Sequence, residues 1–385
     1  MRERLKIMLG DAGSLARYPQ GGGHWAVFVQ YLAGLIDLGH DPLLLEVVES
    51  EPSNDATVDA FFANVASVGM VGRAALLTYS GADWPPDLDQ CEVHGFAPAE
   101  LRRWIADTDL LFNVCGWIRP PLLGHFRRRA LLDLDPGHLQ LTVSAEDMAI
   151  DEHCAFLTVG LNVGTAACPV PTFGVRWCTF APFIHLPSWE MAAPAPEDAP
   201  FASVTHWNWG ELHLADGTAV SLSKRDAYLR YLDLPRRTGR RFELAVNLGD
   251  DPVGDTARLE ESGWTVVDPW VVARSVESYA AYLVACRAEI SCVKPVFREL
   301  NTGWFSDRSV CFLASGRPVI AEDTGFASSL PHGAGLVAFS GLDEAVEAVR
   351  AVDLDYERHA RAARRLAEEV FSSAIWLPKM LDAAG

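Results

Sequence analysis

The feature that most constrains this chain is a pattern that occurs twice. Short apolar strand-like runs alternate with helix-like stretches, and one proline-rich segment separates the two series. In the first series the run KIMLGDAG (6–13) leads into a glycine-rich turn. A helix pattern follows from about His24 to Gly39, with Val27, Val29, Tyr31, Leu32 and Leu35 apolar, and then the strand LLLEVV (43–48). Further strand-like runs are LLFNVCG (110–116), ALLDLD (130–135) and CAFLTVGL (154–161), with helices expected near 55–69 and 98–107. Strands that are apolar throughout, rather than on alternate residues, have no solvent face. Alternating with helices, they predict a parallel sheet covered on both sides.

The segment LPSWEMAAPAPEDAP (186–200) carries four prolines in fifteen residues and no sustained period, so it reads as an interdomain linker. The alternation then restarts. Strands are expected at 203–209, 242–248, 264–269, 288–293, 318–323 and 335–340, and helices at 222–232, 254–262, 275–286, 306–315 and 342–352. The residues after Tyr356 read as helical, with a break near Phe371. The expected architecture is α/β, with two Rossmann-like, doubly wound domains facing across a cleft. The expected division is 1–185, a linker at 186–200, 201–370, and a last helix at 371–385. Ligands in such sheets bind beyond the carboxyl ends of the strands, which makes the cleft the default site.

Composition bounds the function. The 385 residues are 49 % hydrophobic and 22 % charged, an ordinary globular balance for two domains. The net charge of −19 opposes a nucleic acid or an anionic membrane on average, so neither is expected as a partner. No run reaches the ~18 apolar residues of a membrane span, and the first residues lack a signal-peptide core, so a cytoplasmic monomer or homodimer is expected. The eight cysteines form no CxxC pair and read as reduced thiols, not a zinc site.

Two stretches carry chemistry. The first is the turn from Asp11 to His24, with three consecutive glycines, Gly21, Gly22 and Gly23. Glycines let a backbone approach a ligand closely or take positive φ, and the following helix offers free N–H groups. His24, at that helix start, is a candidate general base, with a helix cap as the plainer role. The spacing does not fit the dinucleotide fingerprint GxGxxG, which disfavours a nicotinamide enzyme. The second stretch is NTGWFSDRSVCFLASGRPVIAEDTGF (301–326). Ser306 or Asp307 can cap a helix that carries Arg308 and Ser309 in its first turn. A guanidinium, a hydroxyl and free N–H groups at one point suit a diphosphate. The next strand ends at Asp323, Thr324 and Gly325 on the same sheet edge. The plainer alternative is a local ion pair for Arg308 and a turn cap for Asp323. Other strand ends offer His206, Trp207, Asn247, Asp268, Trp270 and Lys294 to a base, ribose or phosphate. Lys224 could also reach a phosphate, although a solvated helix position is expected.

The segment GGGHWAVFVQYLAGLIDLGHDPLLLEV (21–47) resembles the N-terminal signature of the two-Rossmann (GT-B) glycosyltransferases that use nucleotide sugars. The segment SDRSVCFLASGRPVIAEDTGF (306–326) is similar to their donor-site motif, especially that of bacterial group-1-like members. The resemblance covers nearly the whole chain and includes the helical tail, which in that fold crosses back to the first domain. It implies a nucleotide diphosphate held by the second domain, at Arg308 and Ser309 with Ser306 and Asp307, and a donor sugar at Asp323, Thr324 and Gly325. It implies an acceptor held by the first domain, near Gly22, Gly23 and Trp25. His24 would be the base and Asp11 would assist it, with no metal and no cofactor beyond the nucleotide sugar. The two glutamates, eight residues apart, that many retaining members carry are absent; their places fall near Gly303 and Cys311. The expectation is a glycosyltransferase (hexosyltransferase-type) acting on a small-molecule acceptor, such as an amino sugar or a natural-product scaffold. The alternatives are a sugar-nucleotide epimerase of the same fold and a non-catalytic nucleotide- or sugar-binding protein.

Overall fold

The computed structural model describes residues 4–49, 54–80, 84–213, 217–251 and 253–385. Of the loop 70–100, which the sequence offers as a wall for an acceptor pocket, residues 81–83 lie outside the described part. The first sheet holds β1 (Lys6–Asp11), β2 (Asp41–Glu49), β3 (Ala74–Tyr79), β4 (Cys91–His94), β5 (Leu110–Val114), β6 (Arg129–Asp133), β7 (Ala155–Thr158) and β8 (Cys178–Thr179). Their spatial order is β4-β3-β2-β1-β5-β6-β7-β8, parallel throughout except for β4 on the edge. A second stretch of chain gives β9 (Phe201–His206), a short antiparallel hairpin of β10 (Glu211–His213) and β11 (Ala219–Ser221), then β12 (Phe242–Asn247), β13 (Trp264–Val267), β14 (Ala288–Ser291), β15 (Val319–Glu322) and β16 (Leu336–Phe339). Its parallel sheet runs β13-β12-β9-β14-β15-β16.

The two sheets share one plan. In each, the first strand is central, the following strands of the sheet build outward on one side (three in the first sheet, two in the second), and the chain then crosses to build the other side. The crossing points lie between β1 and β5 and between β9 and β14, where crevices form at the carboxyl ends of the strands. The apolar runs explain these positions: all six residues of β3 and all five of β5 are buried, as strands covered on both faces require. β3, β4 and the β10–β11 hairpin were not anticipated. AALLTY (74–79) is a short apolar run that periodicity alone does not separate from a buried helix turn. The hairpin is a local insertion after β9 that obeys no α/β rhythm.

The linker makes one 3-10 turn at Leu186–Ser188 and then runs without helix or strand to residue 200. It is pinned to the second domain: Arg364 Nη1 donates to the Trp189 carbonyl at 2.7 Å, and Arg287 Nη1 donates to that of Pro196 at 3.3 Å. The last helix, Ser373–Ala384, returns to the first domain. There it lies against the helix Gly22–Asp37, so closely that a Cβ on Gly34 would stand 2.5 Å from Leu377 Cδ1. Arg128 Nη2 donates to the Ala384 carbonyl at 2.6 Å and ties down its end. No described helix is long and apolar enough to cross a membrane.

The glycine turn has a physical reason other than the expected one. Gly21, Gly22 and Gly23 are absent from the residues with positive φ. What Gly22 provides is room for a backbone of the other domain. Its N–H donates to the Ala273 carbonyl at 2.8 Å. A Cβ there would stand 2.2 Å from the Ser275 carbonyl oxygen and 2.5 Å from that of Ala273. Those obstacles are backbone and cannot swing aside. Gly22→Ala should therefore cost about 1–3 kcal/mol, as overpacking does. A lowered urea midpoint, with a larger radius of gyration in X-ray scattering, is the expected result.

Candidate active site

Two adjoining cavities open between the domains at the carboxyl ends of both sheets. One, of about 260 Å³, is bounded by Gln20–His24 from the first domain and by Thr205, His206, Lys224, Trp270, Tyr279 and Ser306–Arg308 from the second. The other, of about 330 Å³, lies on the first-domain side, against Asp11, Ser14, Tyr18, Cys115, Trp117 and Asp135. His24, Val27, Trp209, Lys224, Lys294 and Asp307 border both, so the two cavities form one site with a waist.

Three cations stand at this waist. Lys294 Nζ is 2.6 Å from Asp135 Oδ2, an ion pair that joins the domains. Burial alone would raise the Asp135 carboxyl, but the Lys294 charge and the His138 ring, each also hydrogen-bonded to it, together outweigh burial and hold that group at about 2. Arg308 is fully engaged with the second domain. Its Nε meets Glu289 Oε1 at 2.5 Å, Nη1 donates to the Val204 carbonyl at 3.0 Å, and Nη2 donates to Ser291 Oγ at 2.9 Å. Burial works against its charge, but the Glu289 carboxylate together with Tyr228 and Tyr279 outweighs it and holds the guanidinium above its ordinary range. Lys224 is the exception. It starts the helix Lys224–Leu229, is only 8 % exposed, and among the described residues has no hydrogen-bond or ion-pair partner. Its nearest compensation is the Trp304 ring, 5.8 Å from Nζ. Burial pushes its amine well below the usual lysine range, and the charges of Arg308 and Lys294 add to that. An unpaired buried amine among other cations favours an anion in the space it faces.

Rings from both domains interlock beside these cations. His24 and His206 stack with centroids 5.9 Å apart and planes at 17°, and Tyr18 lies parallel to Trp270 at 6.1 Å. His206 also meets Trp209 edge-on at 5.5 Å. Burial lowers both imidazoles, His206 to about 4 with the His24 charge adding. His24 is therefore neutral near neutral pH, with a buried Nδ1 that has no partner. Burial also lifts the Asp307 carboxyl to about 6.

The structure brings some of the expected residues to the site and keeps others away. Gly22, Gly23, His24, Asp11, Lys294, Ser306, Asp307 and Arg308 border the cavities. Ser306 caps its helix by accepting from the Arg308 N–H at 3.2 Å. Ser309 is wholly buried behind it, its Oγ unpartnered. Trp25 packs in the first core against Phe61, and Trp207 is buried in the second core with Nε1 donating to Asp255. Asn247, Asp268 and Asp323 accept from the backbone N–H groups of Gly249, Trp270 and Gly325, as turn caps do. Thr324 Oγ1 donates to the Trp304 carbonyl at 2.6 Å. Gly325, at φ +96°, leaves room for Asn301 and Asn162. Asp11 accepts from the Ser14 N–H at 3.0 Å and has no hydrogen bond to His24. Lys224, Trp209 and Tyr279 are what the sequence reading missed or set aside. Lys224 directly follows Ser223, which stands at the N-cap position without a side-chain capping bond, and so begins the first helical turn at the cleft.

Removing the Arg308 side chain leaves Glu289 buried and unpaired, which should cost about 3–5 kcal/mol whatever else the residue does. In urea unfolding, Arg308→Ala should show that loss, and Arg308→Met with Glu289→Gln should regain most of it.

No protein-family model and no curated protein matches the sequence. Solved structures do match along the whole chain. An alpha-glucosyltransferase in complex with UDP-glucose and DNA containing an abasic site superposes with a TM-score of 0.58 at 8 % identity, over 99 % of this chain and 100 % of that one. Anabaena HepE in complex with UDP and glucose gives 0.59 at 13 % identity, over 99 % and 100 %. AviGT4, a glycosyltransferase involved in avilamycin A biosynthesis, gives 0.51 at 16 % identity, over 99 % and 97 %. The DNA complexes correct one expectation. Net charge excluded nucleic acid and pointed to a small-molecule acceptor, yet proteins of this architecture are seen bound to DNA. An average charge says nothing of the local surface at a cleft. Two Rossmann-like domains of matching strand order, a shared cleft and a terminal helix that crosses back give this chain the GT-B fold of the glycosyltransferases.

Proposed function

We propose that the protein is a glycosyltransferase that transfers a sugar from a nucleoside diphosphate to an acceptor hydroxyl, without a metal. The observation that carries this reading is the buried, unpaired Lys224 amine at the cleft, with Lys294 and Arg308 beside it. A diphosphate supplies the missing anion. The structural neighbours solved with UDP or UDP-glucose support the same donor class.

In this reading the acceptor oxygen forms a bond to the anomeric carbon as the bond from that carbon to the diphosphate oxygen breaks. The leaving diphosphate takes the electron pair, and the unpaired Lys224 balances its charge. The acceptor proton goes to a base in the cleft. His24 fits that role because it is neutral and its side chain borders both cavities. The rings of Tyr18, His206 and Trp270 give the nucleotide or sugar flat apolar walls and keep water out.

UDP should stabilise the protein by about 2.7 kcal/mol at a hundredfold excess over Kd, seen as a raised Tm. Lys224→Met should weaken UDP binding roughly tenfold to a hundredfold in calorimetry, since a charge-assisted hydrogen bond contributes about 1.5–3 kcal/mol. UDP should also protonate Lys224, so its affinity should fall as pH rises. Unchanged UDP affinity in Lys224→Met would sink the donor-site assignment. With UDP-glucose as donor, product analysis separates a new glycoside from an isomerised sugar nucleotide. The acid limb of the rate should lie below pH 6.5, because burial lowers His24 from that ordinary value and the base acts only when neutral.

A further inference from the structure

Glu46 is the only charged residue in the interior of β2, where the other residues from Pro42 to Val48 are apolar. It is wholly buried, and so is Asp11, its register partner on the adjacent parallel β1. Both carboxyls use one oxygen on the loop that leaves β1. Asp11 Oδ2 accepts from the Ser14 N–H at 3.0 Å. Glu46 Oε1 accepts from the Leu15 N–H at 2.8 Å and from that of Ala16 at 2.7 Å. The remaining oxygens, Asp11 Oδ1 and Glu46 Oε2, are buried and without a partner. Adjacent strands stand about 4.8 Å apart, close enough for the two carboxyls to meet. Two ionised groups there would repel and would leave two desolvated oxygens without a donor. A single proton answers both needs, since it makes one oxygen a donor and the other its acceptor.

We propose that Glu46 is a positioning residue, protonated at neutral pH, which donates from Oε2 to Asp11 Oδ1 and so fastens the Ser14–Gln20 loop to the first-domain wall of the cleft. That loop brings Ser14, Tyr18 and Gln20 to the two cavities. Asp11 borders the larger cavity and Glu46 does not, so the charge of the pair stays on the side that water and ligand reach. The groups facing the pair agree with this. The Arg17 guanidinium, from the same loop, favours one negative charge, and the Cys115 thiol, just past β5, is held neutral by burial and by neighbouring carboxylates. Burial raises Asp11 to about 6, and burial with the Asp11 charge raises Glu46 to about 8. The role assigned to the loop rests on the glycosyl-transfer reading. The proton does not, and it can be tested without donor or acceptor.

The test is infrared difference spectroscopy of the full chain, comparing the parent with Glu46→Gln across the neutral range. The amide introduced by that substitution keeps an acceptor for the Leu15 and Ala16 N–H groups and offers a donor to Asp11. The expected result is a protonated-carboxyl stretch in the parent near pH 7 that shifts in D₂O and is missing from the variant. In Asp11→Asn the band should persist, but its proton should be lost at lower pH, because the neighbouring charge that holds it is gone. Stability gives a second measurement. Acids whose folded pKa is raised contribute stability that is present at low pH and is lost as pH rises through the folded value. The urea midpoint of the parent should therefore fall, relative to Glu46→Gln, as pH rises from the ordinary glutamate value of 4.5 to about 8. No band difference at pH 7, or an unchanged titration in Asp11→Asn, would overturn the proposal. Absence of UDP binding would overturn only the functional reading.

Discussion

The structure depends on a place where two backbones meet with no side chain between them. The Gly22 amide reaches the Ala273 carbonyl, and the missing side chain of Gly22 leaves the space that the Ser275 backbone fills. That approach sets the distance between the sheets at their carboxyl ends. It is what allows His24 of one domain to stack on His206 of the other and Tyr18 to lie along Trp270. The Lys294–Asp135 ion pair closes the far side of the same cleft. The stacked Phe297 and Trp304, 4.5 Å apart, sit in the apolar core of the first domain although they belong to the second half of the chain. The cleft is thus a seam held by a backbone hydrogen bond, an ion pair and apolar packing, each contributed from a different strand end.

Charge in the second domain is arranged around that seam. Arg308 is committed to Glu289, Ser291 and the Val204 carbonyl, so it fastens its helix across β14 and β9. Lys294 is committed to Asp135. Lys224 alone keeps its donors for something else. Three cations close together are tolerable in a buried place because two are neutralised and the third gives up its proton easily. The same logic runs in reverse across the cleft, where Asp11 and Glu46 have too few donors between them to carry two negative charges.

The fold was legible because it rests on patterns that survive in a single sequence. The apolar runs of β1, β5, β6 and β14, the proline-rich break at 186–200 and the cap at Ser306 each carry their structural meaning locally. The site was only half legible. A strand end names several residues, but which of them faces the cleft depends on how the backbone turns there: His206 and Trp209 line it, while Trp207 between them is buried beside Asp255. Trp25, next to His24, turns into the core for the same reason. Asp323, Asn247 and Asp268 have the chemistry of ligand groups, and their own turns occupy them. Lys224 was read as solvated, because nothing in SLSKRD reveals that Trp304 and Lys294, from much later in the chain, enclose it. The glycine turn was recognised, but its neighbour is another part of the chain, which a local reading does not see.

The terminal helix Ser373–Ala384 has a consequence for how the molecule is made. The face of the first domain around Gly34 is complete only when Leu377 covers it, and the Arg128 guanidinium finds the Ala384 carbonyl only then. During synthesis these residues emerge after nearly all the others. The amino-terminal half therefore leaves the ribosome with an apolar stripe uncovered, and must wait for the entire second domain before it is closed. Closing that face is a docking of late chain onto early chain, and until it happens the first domain exposes apolar surface of the kind that promotes aggregation.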